Sequence, residues 1–242
     1  TCVVLDLDVT LIPTGDVYKN AKENLRQYIY GSLNLAPSTE AVAEKQTEIS
    51  VSLVKEHGFD PERFVLSFEL TLEHFSEKAN VDVQPEWNSQ VRDFASAIYL
   101  SEEEYKDRGF LTGAREMLDY VSENSHEVYI LTKGVDSLQN RKLSALNIHN
   151  WIPEENQIVV RDKSHDDFEN IKQNHNSELD FVKIGDSLRS DIIPALETGY
   201  HGVLVGDGGG WKYETQGEIP ELSSQQEFQR VECLTEILQS KI

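Results

Sequence analysis

Val3-Val4-Leu5-Asp6-Leu7-Asp8-Val9-Thr10 is the stretch from which the rest of the chain can be read. An apolar run of strand type empties directly into two carboxylates. Residues two apart on a strand share a side, so Asp6 and Asp8 converge if the strand persists, and a slight turn spreads them around a small polar site. Like charges this close repel, and burying them is costly unless a cation or a shared proton compensates. The pattern suggests a hard metal ion such as Mg2+ and a substrate that brings its own anion. Taken alone, D-x-D is equally a strand end whose carboxylates cap the next helix.

Three later segments shift that balance. Val128-Tyr129-Ile130-Leu131-Thr132 is a second apolar strand ending in a hydroxyl, followed by Lys133-Gly134 and a helical pattern. A Thr at a strand end before a helix suits a phosphate, although it is more often a plain N-cap. Ile158-Val159-Val160 leads to Arg161-Asp162-Lys163, where Lys163 could neutralise phosphate charge. Phe181-Val182-Lys183-Ile184-Gly185-Asp186-Ser187 puts Asp186 where a strand exits into a tight turn, with Asp191 beyond it. Each of these groups falls at the carboxyl end of a predicted strand, which is where open parallel sheets bind ligands.

The set D-x-D-x-T, strand-Thr, Lys and G-D-S, in that order, resembles the haloacid dehalogenase superfamily from Val3 to about Val205. The segments L-T-K-G-V-D-S-L-Q-N-R-K-L and I-G-D-S-L-R-S-D-I-I-P-A-L-E-T-G look like its small-molecule phosphatase-like branch. The resemblance implies that Asp6 is the nucleophile, forming an aspartyl-phosphate, and that Asp8 is general acid and base. Thr132 would hold a phosphate oxygen and Lys163 would balance negative charge. Asp186 would bind Mg2+ beside Asp6 and the backbone carbonyl of Asp8. Asp191 and Thr10 would support these groups from behind, with Asp191 positioning Lys163 or a metal-bound water. Lys133, Gly134 and Tyr18 are further candidates for contact with phosphate or substrate, set against a solvated Lys at a helix start and a packing Tyr.

Two positions depart from the family pattern. Val9 stands where relatives usually carry Gly or Asn, which leaves the first loop less backbone freedom. Asp191 lies one residue further from Asp186 than in many relatives. The activity implied is that of a Mg2+-dependent phosphatase-type hydrolase acting on a small phosphorylated metabolite. The alternatives are a 2-haloacid dehalogenase, a phosphomutase, or a non-catalytic phosphate-sensing protein. Dehalogenation through the same nucleophile needs neither a metal nor a second acid, yet Asp8 and Asp186 are both present.

Composition narrows the partners. A chain of 242 residues with 38% hydrophobic content can bury a sizeable core. A formal net charge of −21, from 43 acidic against 22 basic residues, opposes binding to nucleic acid or to anionic membranes. No apolar stretch reaches the length of a membrane span and no secretory signal precedes the first strand, so a cytoplasmic protein is expected. Cys2 and Cys233 form no framework, and the seven histidines, His126 among them, form no zinc set. The glycine-rich run Gly206 to Trp211 is not a dinucleotide fingerprint.

The expected architecture is α/β: a doubly wound, Rossmann-like parallel sheet of strands 2–7, 127–132, 157–160, 180–185 and 202–205, with an inserted α-helical cap domain. Residues 1–15 and 106–242 form the core in this reading, and residues 16–105 form the cap. Within the cap, apolar residues recur at helical spacing, as at Phe64, Phe68, Leu72, Phe75 and Ala79. Such a cap is expected to close over the site and exclude water. The periodicity of Phe228, Val231, Leu234, Ile237 and Leu238 predicts a closing helix, preceded by an irregular segment near Thr215 to Gln226.

Overall fold

The apolar runs become the strands of one sheet. The computed structural model describes residues 1–58, 60–124, 127–175, 179–207 and 211–240; His126 and Gly208 to Gly210 lie outside them. The strands are β1 (Cys2–Leu5), β2 (Glu127–Lys133), β3 (Gln157–Val160), β4 (Phe181–Gly185), β5 (His201–Val205) and β6 (Phe228–Val231). They pair in the order β3-β2-β1-β4-β5-β6, and every pairing is parallel. The chain builds outward from β1 on one side, then crosses back to start β4 on the other. The topological switch therefore falls between β1 and β4, where open α/β sheets bind ligands.

Both faces of the sheet are buried, which is why its strands read as continuous apolar runs. Alternate residues feed opposite layers. Val3, Leu5, Val128, Ile130, Val182 and Ile184 pack with Met117, Leu118 and Val121 of α6 (Ala114–Glu123) and with Leu234 and Ile237 of α10 (Leu234–Ser240). Val4, Tyr129, Leu131 and Phe181 face Phe168 and Ile171 of α8 (His165–Gln173).

The chain divides into two compact units, Thr1–Gly15 with Ser101–Ile242, and Asp16–Leu100. The second unit holds most of α1 (Gly15–Gln27), together with α2 (Thr39–His57), α3 (Pro61–Ala79) and α4 (Pro85–Ser96). Its core joins Leu25, Val42, Phe64, Phe68, Leu72 and Val91. Starts are set by Ser38, whose hydroxyl accepts from Ala41 N, and by Asp60, whose carboxylate accepts from Glu62 N. The return to the first unit comes at Ser101, ahead of the expected break at residue 106. There α5 (Glu102–Arg108) opens with a Ser101–Glu104 capping box, and its buried Tyr105 lies under the Lys142 ammonium.

Two expectations are corrected. Phe228 to Val231 is a strand and not the start of the closing helix, because it pairs with the otherwise open edge of β5. The first strand ends at Leu5 and not at residue 7. Asp6 N still donates to Ile184 O, but the carbonyl of Leu7 then accepts from Leu11 and Ile12 N, closing a tight turn. Among the described residues no helix is long and apolar enough to cross a membrane.

Candidate active site

Asp6 leaves the end of β1 buried, at 5% exposure. Lys163, just past β3, reaches across β2 and donates from Nζ to Asp6 Oδ1 and, at 2.6 Å, to Asp191 Oδ1. Burial lowers the affinity of this lysine for its proton, but the carboxylates of Asp191 and Asp6 more than offset that, so it is held firmly as an ammonium. Asp6 Oδ2 takes no hydrogen bond from the described residues, so one oxygen is anchored and the other is left to react. Burial raises the Asp6 carboxyl above its ordinary value, against the pull of Lys163.

Asp6, Asp186 and Asp191 each bring a carboxylate oxygen within 4.8 Å of the others. They are not equivalent. Asp191 is satisfied by Lys163, by the Lys183 ammonium at 2.9 Å and by Ser187 N at 3.2 Å. Burial pushes its carboxyl up, yet the two lysines win and hold it at about 2. Asp186 accepts a long 3.4 Å bond from Thr10 Oγ1 and has no ion pair among the described residues. Burial, followed by the charges of Asp6 and Asp191, raises its carboxyl well above the usual range. Asp6 has only the Lys163 ammonium, which it shares with Asp191, and Asp186 has no ion pair among the described residues; such a buried pair suits a hard divalent ion bound through oxygen.

The close approach of Asp191 to the sheet depends on Gly185. A Cβ on Gly185 would fall inside the Asp191 carboxyl group. Any larger residue at the end of β4 would therefore push Asp191 away from its lysines. The G-D-S motif thus provides the Asp186 carboxylate and also the room for the group that holds Lys163.

Asp8 points into a different set of partners. Lys142 Nζ lies 2.7 Å from Asp8 Oδ1 and 2.8 Å from Oδ2, and Gln139 Nε2 donates to Oδ2 at 2.8 Å. Both come from α7 (Asp136–Ala145), where positions three apart share a face. Burial raises the Asp8 carboxyl, but Lys142 outweighs it, so the group stays ionised. Its side chain keeps 26% exposure and so opens toward solvent. Gln139 also donates at 2.6 Å to Thr132 Oγ1, filling an acceptor site of that hydroxyl and leaving its proton to be donated elsewhere.

Val9, between the carboxylates and Thr10, has φ of 62°. Left-handed backbone at a β-branched residue is strained, which gives physical content to the departure noted at this position. Lys133 donates to Ser190 Oγ at 2.7 Å and Glu214 Oε1 at 2.9 Å. Gly134 N donates to Val160 O, so that N–H serves the strand end. Tyr18 lies in the helical unit, with its ring edge-on to Phe64 at 5.3 Å.

The structure thus gathers Asp6, Thr10, Lys163, Asp186 and Asp191 in one cluster and joins Asp8 to Thr132 through Gln139. Sequence reasoning misses Gln139, Lys142, Lys183 and Glu214. Lys183 carries a visible signal, a charge inside the apolar run Phe181 to Ile184. Gln139 and Lys142 stand three apart beside the buried Leu143. Glu214 has no local signal, since it lies in a loop with no periodicity.

A parallel sheet switching direction beside a strand that ends in D-x-D, with Thr, Lys and G-D-S on the neighbouring strand ends, defines the haloacid dehalogenase-like α/β fold. Solved structures agree. The chain is similar to a haloacid dehalogenase-like family hydrolase from Xanthomonas campestris, at 18% identity and a TM-score of 0.71 over 99% of this chain and 95% of that one. It is also similar to YfnB from Bacillus subtilis, described as a HAD-hydrolase bound to magnesium, at 17% identity and a TM-score of 0.58 over 100% and 98%. A third is the L-2-haloacid dehalogenase from Xanthobacter autotrophicus, at 13% identity and a TM-score of 0.55 over 98% and 96%. No protein-family model and no curated sequence matches the chain.

Proposed function

We propose that this protein is a Mg2+-dependent hydrolase that releases phosphate from a small phosphorylated metabolite through an aspartyl-phosphate on Asp6. The observation that carries the reading is Asp186, a buried carboxylate beside Asp6 with no ion pair among the described residues, while Asp191 and Asp8 each have a lysine. Displacement of a halide by the same nucleophile gives no reason for that pair. The magnesium-bound structure from Bacillus subtilis supports it as an analogy of fold.

Asp6 and Asp186, with the backbone carbonyl of Asp8, would hold the Mg2+. When bound, the ion neutralises these carboxylates and the incoming phosphate. Asp6 Oδ2 attacks phosphorus while Lys163 fixes Oδ1, so the nucleophile does not rotate away. Thr132, with its acceptor side filled by Gln139, donates to a phosphate oxygen. Asp8, ionised beside Lys142 before substrate arrives, acts as the acid once it has taken a proton from a monoanionic phosphate ester; it passes that proton to the leaving oxygen and then takes one from the water that hydrolyses the aspartyl-phosphate. Phosphoryl transfer needs chiefly in-line placement and charge stabilisation, and fixed ammonium and hydroxyl groups supply both.

The test is phosphate release from a panel of phosphorylated metabolites and aryl phosphates, with Mg2+ and with a chelator, run beside halide release from 2-haloacids. Release of phosphate that stops on chelation is expected. Halide release that persists in chelator, with no phosphate released from any compound, would replace this reading with dehalogenation.

A further inference from the structure

The loop after β5 returns to the site and places a carboxylate that the mechanism above does not use. Glu214 is buried at 7% exposure. Its Oε1 accepts from Lys133 Nζ at 2.9 Å, and its Oε2 accepts from Ser190 Oγ at 2.6 Å and from Ser187 Oγ. Lys133 Nζ also donates to Ser190 Oγ. The backbone carbonyl of Glu214 accepts from Arg189 N at 3.1 Å. The Arg189 guanidinium lies 4.4 Å from the centre of the Tyr213 ring. Further on, Gly217 is seated so tightly that a Cβ there would run into the Ile193 side chain.

These contacts join two particular places. Lys133 is the last residue of β2, next to Thr132, and Ser187 follows Asp186 at the end of β4. In the sheet β2 and β4 flank β1, whose end carries Asp6. The Lys133–Glu214–Ser187 chain therefore crosses the open end of β1 and ties the strand that bears the phosphate-holding hydroxyl to the turn that bears the metal-side carboxylate. Charge-assisted hydrogen bonds shielded from water are stiff enough to hold such a spacing. Lone surface ion pairs are not.

We propose that Glu214 is a positioning residue: through Lys133, Ser187 and Ser190 it sets Thr132 and Asp186 in register on either side of Asp6. The inference rests on the phosphatase reading above. A purely structural loop contact would give stability to the fold without affecting turnover. A positioning contact would cost turnover in a fold that is still intact, and would act jointly with Lys133.

The experiment measures hydrolysis of an aryl phosphate in the full chain with Mg2+, for Glu214→Ala, Lys133→Met and the double variant, each checked for folding by circular dichroism and thermal melting. Loss of a charge-assisted contact predicts a drop of roughly tenfold in kcat/KM for each single variant, mainly in kcat. The double variant should be no worse than either single one, since both remove the same bridge. Glu214→Gln, which keeps the shape and one acceptor oxygen and so can serve either Lys133 or the serine pair but not both, should recover part of the loss. It also provides the comparison if Glu214→Ala fails to fold. Wild-type kcat/KM in folded Glu214→Ala or Glu214→Gln, or losses that multiply in the double variant, would overturn the proposal. A wild-type protein that neither hydrolyses phosphate esters nor binds inorganic phosphate overturns the phosphatase reading, and this inference with it.

Discussion

The Lys142 ammonium straddles the Asp8 carboxylate, 2.7 Å from one oxygen and 2.8 Å from the other. Lys142 is itself only 3% exposed in its side chain, so this is a fixed cation and not a passing surface partner. It gives the two carboxylates of the D-x-D pair separate environments. Asp6 shares Lys163 with Asp191 and sits beside the uncompensated Asp186, whereas Asp8 has a lysine and an amide that it shares with Thr132. The roles of nucleophile and proton carrier proposed for the two groups can therefore be tested one group at a time.

Asp6→Asn keeps the shape of the side chain and a hydrogen-bond acceptor for Lys163 but cannot form an acyl phosphate. Phosphate release should fall by roughly three orders of magnitude or more, with the thermal melt preserved. Turnover near wild type in the folded variant would remove Asp6 from the role.

Asp8→Asn separates the two chemical steps. With an aryl phosphate the leaving group needs little protonation, so Asp6 should still be phosphorylated, while the hydrolysis that follows lacks its base. Intact-protein mass after a rapid quench should show one added phosphoryl group that is missing in Asp6→Asn. Hydrolysis of aryl and alkyl phosphates at the unmodified rate would show that Asp8 is not the proton carrier.

Asp191 neutralises two buried lysines, so Asp191→Asn should destabilise the fold by about 3 kcal/mol at neutral pH. The dependence on pH has a definite sign. The folded carboxyl is held at about 2 against an ordinary 3.8, so its contribution is present above pH 3.8 and is lost as pH falls toward 2. Denaturant titrations of the two proteins should therefore differ most at neutral pH and converge between those values. A gap that stays constant down to pH 2 would mean that the ion pairs do not carry the effect.

Val9 occupies left-handed backbone at φ 62°. Asn tolerates that conformation, and Val9→Asn should raise stability by about 1 kcal/mol. Val9→Ile, equally branched at Cβ, should gain nothing. Denaturant midpoints that do not separate these two variants would show that the turn is not strained.

Sequence alone determined what local chemistry can express. Both-face burial writes β1 and β2 as apolar runs and β4 as one broken only by Lys183, and the helices of the second unit show as repeats of three and four residues, as from Phe64 to Ala79. Because a parallel strand presents its last residue at one edge of the sheet, reading where each apolar run stops was enough to nominate Asp6, Thr132, Lys163 and Asp186. The tertiary structure decided the pairing between those groups. The family resemblance offered Asp191 a place beside Lys163 or a metal-bound water, but nothing in the order of residues says that Lys142 and Gln139 would turn toward Asp8, or that Glu214 would come back from a loop to Lys133. Phe228 to Val231 shows the same limit at the level of an element: its spacing fits a helix, and the unpaired edge of β5, far away in the chain, makes it a strand. Propensity and periodicity act over a few neighbouring residues, whereas ion pairs and strand edges join positions that only the folded chain brings together.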